Sequence, residues 1–310
     1  MPAVETRHQL AASDGYPVEV FTWDSPVPPR AVVQIAHGMG EHARRYRPLA
    51  EALVQAGCAV VANEHRGHGE EAARRGAKGD LGPRGFTGLV DDMAAVSDFA
   101  NARYPGAPLI LLGHSMGSFA ATIYLLDHAH RVCAAALSGT MALDLAEAGS
   151  SSAWKLNGAS AAPAVARRTP YDWLSRNEAE VDAYIADPLC GFRLQVGSRQ
   201  AMYAAYARTT SADALRVIPA SLPIYLFVGG EDALHRKLAY FRPLVERFRA
   251  AGLSDVSVKI YEGARHEVLN EINRDEVVSD LLSWIDRVLG DLAVRADPTP
   301  EQPRAHATGT

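Results

Sequence analysis

Short apolar runs recur along this chain with longer segments of helical period between them, and that alternation limits the possible folds more than any other feature. The runs AVVQIA (31–36), AVVAN (59–63), LILLG (109–113), CAAALS (133–138), PIYLFVG (223–229) and VSVKIY (256–261) have the length of strands. Several are apolar at nearly every position, as strands are in a parallel sheet covered on both faces. Between them lie the amphipathic segments YRPLAEALVQAG, FTGLVDDMAAVSDFANARY, MGSFAATIYLLDHA, HRKLAYFRPLVERFRAAG and INRDEVVSDLLSWIDRVLG. Gly57 and Gly252 fall where helix C-terminal caps belong. The alternation predicts a doubly wound α/β sheet. Ahead of it, the alternating PVEVFTW predicts an antiparallel edge strand or hairpin. From Leu143 to Leu222 no strand is evident, and Ala/Ser-rich and helical pieces take its place. This stretch reads as a helical insertion that divides a core of residues 1–142 and 223–293. The Pro-rich, polar, aperiodic tail, 294–310, is expected to be disordered.

Gly113-His114-Ser115-Met116-Gly117 matches G-x-S-x-G directly after the strand LILL and directly before the helix MGSFAATIYLL. The pattern alone is weak. Its position at a strand–turn–helix joint gives it meaning, because a sharp turn there strains the serine and demands small neighbours. The turn also aims the helix N-terminus at developing negative charge. Ser115 is therefore the candidate nucleophile, and a serine hydroxyl needs a base.

His266 follows VSVKIYEG and precedes the last helix, on the loop after a late strand where that base belongs. His37 sits at a strand end, His114 is expected to point away from the site, and turn formation accounts for His65 and His68. Asp232, in VGGEDALH after strand 223–229, is the candidate acid, with Gly229 and Gly230 permitting a tight turn. Glu231 should face the opposite side, and Asp144 is the alternative acid. The order Ser115, Asp232, His266 matches the strand–elbow–helix scheme and differs from the chymotrypsin and subtilisin orders. His37-Gly38-Met39-Gly40 places glycines where a backbone N–H could face a carbonyl oxygen, with Met116 supplying the second donor. An HGxG turn that merely ends a strand is the plainer alternative.

Composition excludes other classes. With 48% apolar residues, 22% charged residues and a net charge of −5, the chain shows no basic cluster suited to nucleic acid or an anionic membrane. Cys58, Cys133 and Cys190 have no CxxC spacing, which suits a reducing compartment. No signal-peptide stretch opens the chain, and the charge-free run from Pro105 to Leu126 is broken by Pro108 and glycines. A cytoplasmic protein is expected. His266-Glu267 has Asn270 where a zinc-binding H-E-x-x-H needs histidine, and no GxGxxG or P-loop is placed to hold a nucleotide. No metal and no cofactor are expected.

HGMGEHARRY (37–46), NEHRGHGE (63–70), GHSMGS (113–118) and YEGARHEVLNE (261–271) closely resemble the monoacylglycerol lipase and lysophospholipase group of α/β-hydrolases, over about residues 10–290. The resemblance implies an α/β-hydrolase fold with a helical cap over an acyl pocket at 143–222. It implies Ser115, Asp232 and His266 as a triad, and Met39 and Met116 as donors of the oxyanion amides. It places Glu41 and Arg45 near the alcohol end of the site, although the two could equally pair to hold their own loop. Trp154, Leu156, Trp173, Leu174, Tyr184, Ile185, Met202, Tyr203 and Tyr206 could line an acyl channel or pack the cap on the core. The sequence after Asp232, ALHRK, matches no known substrate preference.

The leading expectation is hydrolysis of a small lipid-like monoester, with transient membrane-surface contact through the cap. A small-ester esterase or a proline-iminopeptidase-like peptidase is the second reading. A peptidase would need carboxylates for the substrate amine, and Glu178, Glu180 and Asp182 could be cast so, although a solvated helix face explains them. A ligand receptor on a hydrolase scaffold belongs to a third class, which usually lacks a triad member.

Overall fold

The computed structural model describes residues 3–24, 26–148 and 168–296. Trp154, Leu156 and the tail from 297 onward lie outside the described residues. Each apolar run becomes a strand, with boundaries within one residue of those read from the sequence. These are β3 (Ala31–Ala36), β4 (Cys58–Asn63), β5 (Leu109–His114), β6 (Ala134–Ser138), β7 (Ile224–Gly229) and β8 (Val256–Tyr261). Before them, β1 (Val4–Ala11) and β2 (Pro17–Asp24) form the predicted hairpin, with PVEVFTW as its inner strand and β1 at the edge. The strands form one sheet in the order β1-β2-β4-β3-β5-β6-β7-β8. β1 and β2, and β2 and β4, pair antiparallel, and the other pairs are parallel.

The helices are α1 (Arg47–Gln55), α2 (Gly69–Arg74), α3 (Gly85–Arg103), α4 (Met116–His128), α5 (Leu143–Ala148), α6 (Glu178–Ala186), α7 (Val196–Tyr206), α8 (Ala212–Leu215), α9 (Phe241–Ala250) and α10 (Arg274–Ala296). Helices cover both faces of the sheet, which is why its central strands are apolar throughout. Leu109 and Leu111 of β5 join one core with α3, α4 and α9, whereas Ile110 and Leu112 join the other with α1 and α10. On α1 the buried residues Leu49, Ala50, Leu53 and Val54 make a single stripe. Gly57 and Gly252 adopt φ +84° and +96° where α1 and α9 end. Between β6 and β7 the described residues form helices and turns and contain no strand.

Two boundaries differ from the sequence reading. The helix expected from His235 begins only at Phe241, because Arg236, Lys237 and Leu238 adopt left-handed φ of 45°, 52° and 68°. The last helix runs through Ala296, three residues into the segment read as tail.

Arg66, in the loop after β4, ties the hairpin to the core. Its guanidinium is 1% exposed and reaches Asp92 of α3 at 2.6 and 2.8 Å and Asp14 of the β1–β2 turn at 2.6 and 2.9 Å. Removing one member of a buried ion pair strands the other charge in a low-dielectric site. Arg66→Met is expected to lower stability by about 3–5 kcal/mol, read as a shift in the urea midpoint; a loss within about 0.5 kcal/mol would refute this role.

Candidate active site

Ser115 stands between β5 and α4 with φ 51° and ψ −120°, a conformation that costs free energy for any residue with a Cβ. Close packing on both sides imposes it. A Cβ on Gly117 would lie 2.1 Å from the carbonyl oxygen of Ala36, and one on Gly113 would lie 2.5 Å from that of Gly117. Both obstacles are backbone and cannot rotate away. Met116, the first residue of α4, has an N–H outside the i→i−4 ladder and available at the helix start.

The HGMG loop is held on each side of Met39. The Gly38 N–H donates to Oε1 of Glu41 at 2.5 Å, and the Gly40 N–H donates to Nε2 of His68 at 3.2 Å. A Cβ on Gly38 would lie 3.3 Å from that of Ser115, so the loop runs directly against the serine. His68 in turn contacts the Arg66 carbonyl through Nδ1 at 2.9 Å, which assigns the proton to Nδ1 and leaves Nε2 as acceptor. Burial lowers the His68 pKa to about 4, so the ring is neutral and able to accept. Turn formation alone, expected for His65 and His68, is therefore an incomplete account: both are buried beside His37.

The fold brings the candidate base His266 and the candidate acid Asp232 together. Asp232 follows β7 and approaches Nδ1 of His266 through Oδ2 at 2.7 Å, while its Oδ1 accepts the Leu234 N–H at 2.8 Å. Gly229 serves close approach more than turning, since a Cβ there would sit 2.1 Å from the Arg265 carbonyl oxygen. That contact brings the loop carrying His266 against the end of β7. Burial alone would depress the His266 pKa, but the Asp232 carboxylate outweighs it and the pKa is raised. Asp232 itself is held below its usual range by the imidazole despite burial. Glu231 is exposed, as expected. Asp144, the alternative acid, is engaged elsewhere, forming two 2.7 Å bonds with Arg247.

Ser115, His266, Met39 and Glu41 open onto one cavity of about 280 Å³, walled by Trp173, Leu174, Tyr184, Phe192 and Leu194 among others. His114 also lines it and packs against His266 with ring centroids 4.9 Å apart, so it faces the site, contrary to the sequence expectation. The side chain of residue 114 reaches under the elbow to Ser138 at 3.2 Å, a contact that strand alternation alone does not reveal. Burial and the neighbouring His266 lower the His114 pKa to about 3.

Glu41 and Arg45 do pair with each other, at 2.8 Å, and Glu41 also accepts from the Tyr46 hydroxyl at 2.8 Å. Arg45 makes two further 2.8 Å bonds to Glu267 and lies 4.8 Å above the Tyr184 ring. Glu267 and Tyr46 were given no site role from the sequence, although Glu267 directly follows His266, and Trp173 was named only as a candidate for the acyl channel or for packing. Trp173 packs against His266 with tilted rings 5.2 Å apart, and its carbonyl accepts the His266 N–H at 3.4 Å.

Of the other insertion residues, Leu174 and Tyr184 line the cavity, whereas Met202 and Tyr206 are buried against the core and Tyr203 packs on it. Ile185 is 46% exposed. Glu178 and Asp182 face Arg168 at the surface and Glu180 faces Arg274, away from the cavity lining. His42, Asp187 and Cys190 bring donor atoms within 4.8 Å of one another, but His42 and Asp187 already satisfy each other at 2.8 Å.

A mostly parallel sheet with a serine elbow, a following Asp and a late His on its carboxyl edge defines the α/β-hydrolase class of serine hydrolases. Residues 27–273 match the family model described as "Serine aminopeptidase, S33". A monoacylglycerol lipase of Mycolicibacterium smegmatis is 31% identical over 91% of this chain and 98% of its own. The human monoglyceride lipase is 31% identical over 90% of this chain and 89% of its own. A thermostable carboxyl esterase from Bacillus coagulans, solved with glycerol, superposes with a TM-score of 0.83 at 26% identity, covering 92% of this chain and 99% of that one. The chain belongs to this family and is a monoacylglycerol lipase-like carboxylic ester hydrolase.

Overpacking against fixed backbone costs at least about 1–3 kcal/mol. Gly117→Ala is expected to lose at least that much stability along with ester turnover, measured by thermal melting and initial rates. A variant with unchanged melting and unchanged rates would show that the elbow tolerates a methyl group.

Proposed function

We propose that the enzyme hydrolyses lipid monoesters of the monoacylglycerol or lysophospholipid type, with Ser115 as nucleophile, His266 as base and Asp232 as the carboxylate that orients it. The observation that carries this reading is the 2.7 Å His266–Asp232 contact beside a strained Ser115, at the mouth of a cavity with aromatic and aliphatic walls. With Nδ1–H donated to Asp232, the Nε2 lone pair of His266 is free to take the serine proton. Ser115 Oγ then attacks the ester carbonyl carbon, and the oxyanion receives the N–H groups of Met39 and Met116. Collapse expels the alcohol, which takes the proton from His266, and water repeats the sequence to release the acid. Two pre-aimed amides contribute about 3 kcal/mol each to the transition state.

We read 143–222 as a cap on a core formed by 1–142 and 223–293. Ile185 and Val196 stand exposed on its helices, which supports transient contact with a lipid surface. No helix among the described residues is long and apolar enough to cross a membrane. The three free cysteines support a reducing, cytoplasmic setting.

The aminopeptidase reading finds less support. Both carboxylates in the cavity lining, Glu41 and Glu267, are already bonded to Arg45, which leaves a substrate ammonium no free carboxylate among the described lining residues. A fluorophosphonate probe is expected to label Ser115, and Ser115→Ala to abolish both labelling and p-nitrophenyl ester turnover. In parallel, kcat/KM for monoacylglycerols and lysophospholipids should exceed that for aminoacyl anilides. Labelling that survives the substitution would sink the nucleophile assignment, and a preference for anilides would sink the substrate class.

The raised pKa of His266 fixes a pH dependence. The base works neutral, so kcat/KM should be full at alkaline pH and fall as pH drops through a midpoint above 6.5. A midpoint well below that value, measured on a substrate without titratable groups, would contradict the Asp232 coupling.

A further inference from the structure

The segment after Asp232 carries a histidine for which the mechanism above has no use. His235 is 1% exposed and closes the short turn Ala233–His235 that Asp232 caps. Its Nδ1 accepts the Leu238 N–H at 3.1 Å, so in the neutral ring the proton sits on Nε2. That Nε2 is buried and makes no hydrogen bond of good geometry; the Gly229 carbonyl acts on the ring, and Asp232 Oδ2, the same oxygen that meets His266, lies 3.6 Å away. A buried donor so poorly satisfied is rare enough to need a reason. The backbone gives a second sign, for the Leu238 N–H reaches Nδ1 only because three consecutive non-glycine residues, Arg236 to Leu238, take left-handed φ. Local strain thus holds the His235 ring in the tautomer and orientation that point Nε2–H at the carboxylate.

We propose that His235 is a positioning residue for the triad, donating Nε2–H to Asp232 Oδ2 as the site tightens around a bound ester. This inference rests on the triad assignment above. A second donor on the carboxylate keeps it ionised and restrains its rotation, and it withdraws charge that would otherwise strengthen the hold on the His266 proton. His235 acts as a neutral donor, since burial lowers its pKa despite the adjacent Asp232. The other charged or titratable groups facing His266 are Glu267 and Glu41, which raise its pKa, and neutral His114. Their hydrogen bonds run to other residues than the turn that carries His235, so replacing His235 leaves those bonds in place.

The test compares wild type with His235→Asn and His235→Gln. Asparagine can still accept the Leu238 N–H, but its amide N–H is one bond short of the place of Nε2–H, whereas the longer glutamine amide can restore that donor. For His235→Asn, kcat is expected to fall about 3- to 10-fold with KM within about twofold. Its acid limb should move up by about half a pH unit, because the undiluted Asp232 charge holds the His266 proton more tightly. His235→Gln should return both toward wild type. A His235→Asn limb that coincides with wild type overturns the proposal, as does an equal loss in both variants with no movement of the limb. Ser115→Ala, assayed alongside with the fluorophosphonate probe, reports separately on the triad. If neither His235 variant folds, ¹⁵N-histidine NMR of the wild-type protein decides. An Nε2-protonated neutral His235 whose Nε2–H signal moves downfield with a boronate bound supports the proposal; an Nδ1-protonated ring or an unmoved signal overturns it.

Discussion

At the turn between β5 and α4, three stretches of backbone pass closer than a methyl group would allow. Gly117, at the start of α4, runs against the Ala36 carbonyl at the end of β3, and Gly113, at the end of β5, runs against Gly117, while a Cβ on Gly38 would stand 3.3 Å from that of Ser115. Contacts between backbones have no rotamers through which to relax. The turn at Ser115, the start of α4 and the entry to the HGMG loop are therefore fixed relative to one another. In the mechanism proposed above the Met39 and Met116 amides are the oxyanion donors, and this crowding fixes the turns that carry them. Amides held on turns of this kind would need no reorganisation when negative charge appears.

Electrostatics adds a second layer. Burying Glu41, Glu267 and Arg45 together costs several kcal/mol per ion, and their mutual hydrogen bonds must offset this. Arg45 holds the Glu267 pKa below its usual range despite burial. Two carboxylates against one guanidinium leave a net negative charge near His266, which raises the pKa of that imidazole along with Asp232. The network that holds the Gly38 amide therefore also biases the base. His37 and His68 work the opposite way. Burial keeps them neutral, and only neutral rings can accept the His65 and Gly40 N–H groups that hold the loop.

The sheet and the three candidate catalytic side chains were legible because each follows from a local pattern. Continuous apolar runs reveal buried parallel strands, and the serine elbow, Asp232 and His266 each sit one turn beyond such a run. Illegible features depend on side chains that meet across the fold. Whether His114 faces the site depends on where β6 places Ser138, and Arg45 finds Glu267 across more than two hundred residues of chain. The left-handed run after His235 was missed because Arg, Lys and Leu carry no preference for that conformation. Its amphipathic spacing reads as helix until the tertiary structure overrides it. Glu41 and Arg45 fall between these cases: their motif was visible, but only the structure shows the loop-holding pair and the cavity position as one arrangement.

Among the contacts between the insertion and the core, two sets fall on the loops on which the proposed chemistry would depend. The Trp173 and Leu174 carbonyls accept the N–H groups of His266 and Glu267, and Glu271, fully buried, bonds both the Arg265 N–H and Arg176. On the other side the Tyr184 hydroxyl and the Gly191 N–H both donate to the Gly40 carbonyl. A displacement of these anchors would pull on the base loop or the oxyanion loop directly. Freedom to vary is left to the wall between them, where Phe192, Leu194 and Arg199 face the cavity. Each acyl methylene buried against that wall contributes about 0.8 kcal/mol, so a change of one side chain there can reset chain-length preference while the glycine-packed elbow stays untouched. Chemistry and selectivity are thus divided between a backbone that cannot vary and a side-chain wall that can, and only the former leaves a motif in the sequence.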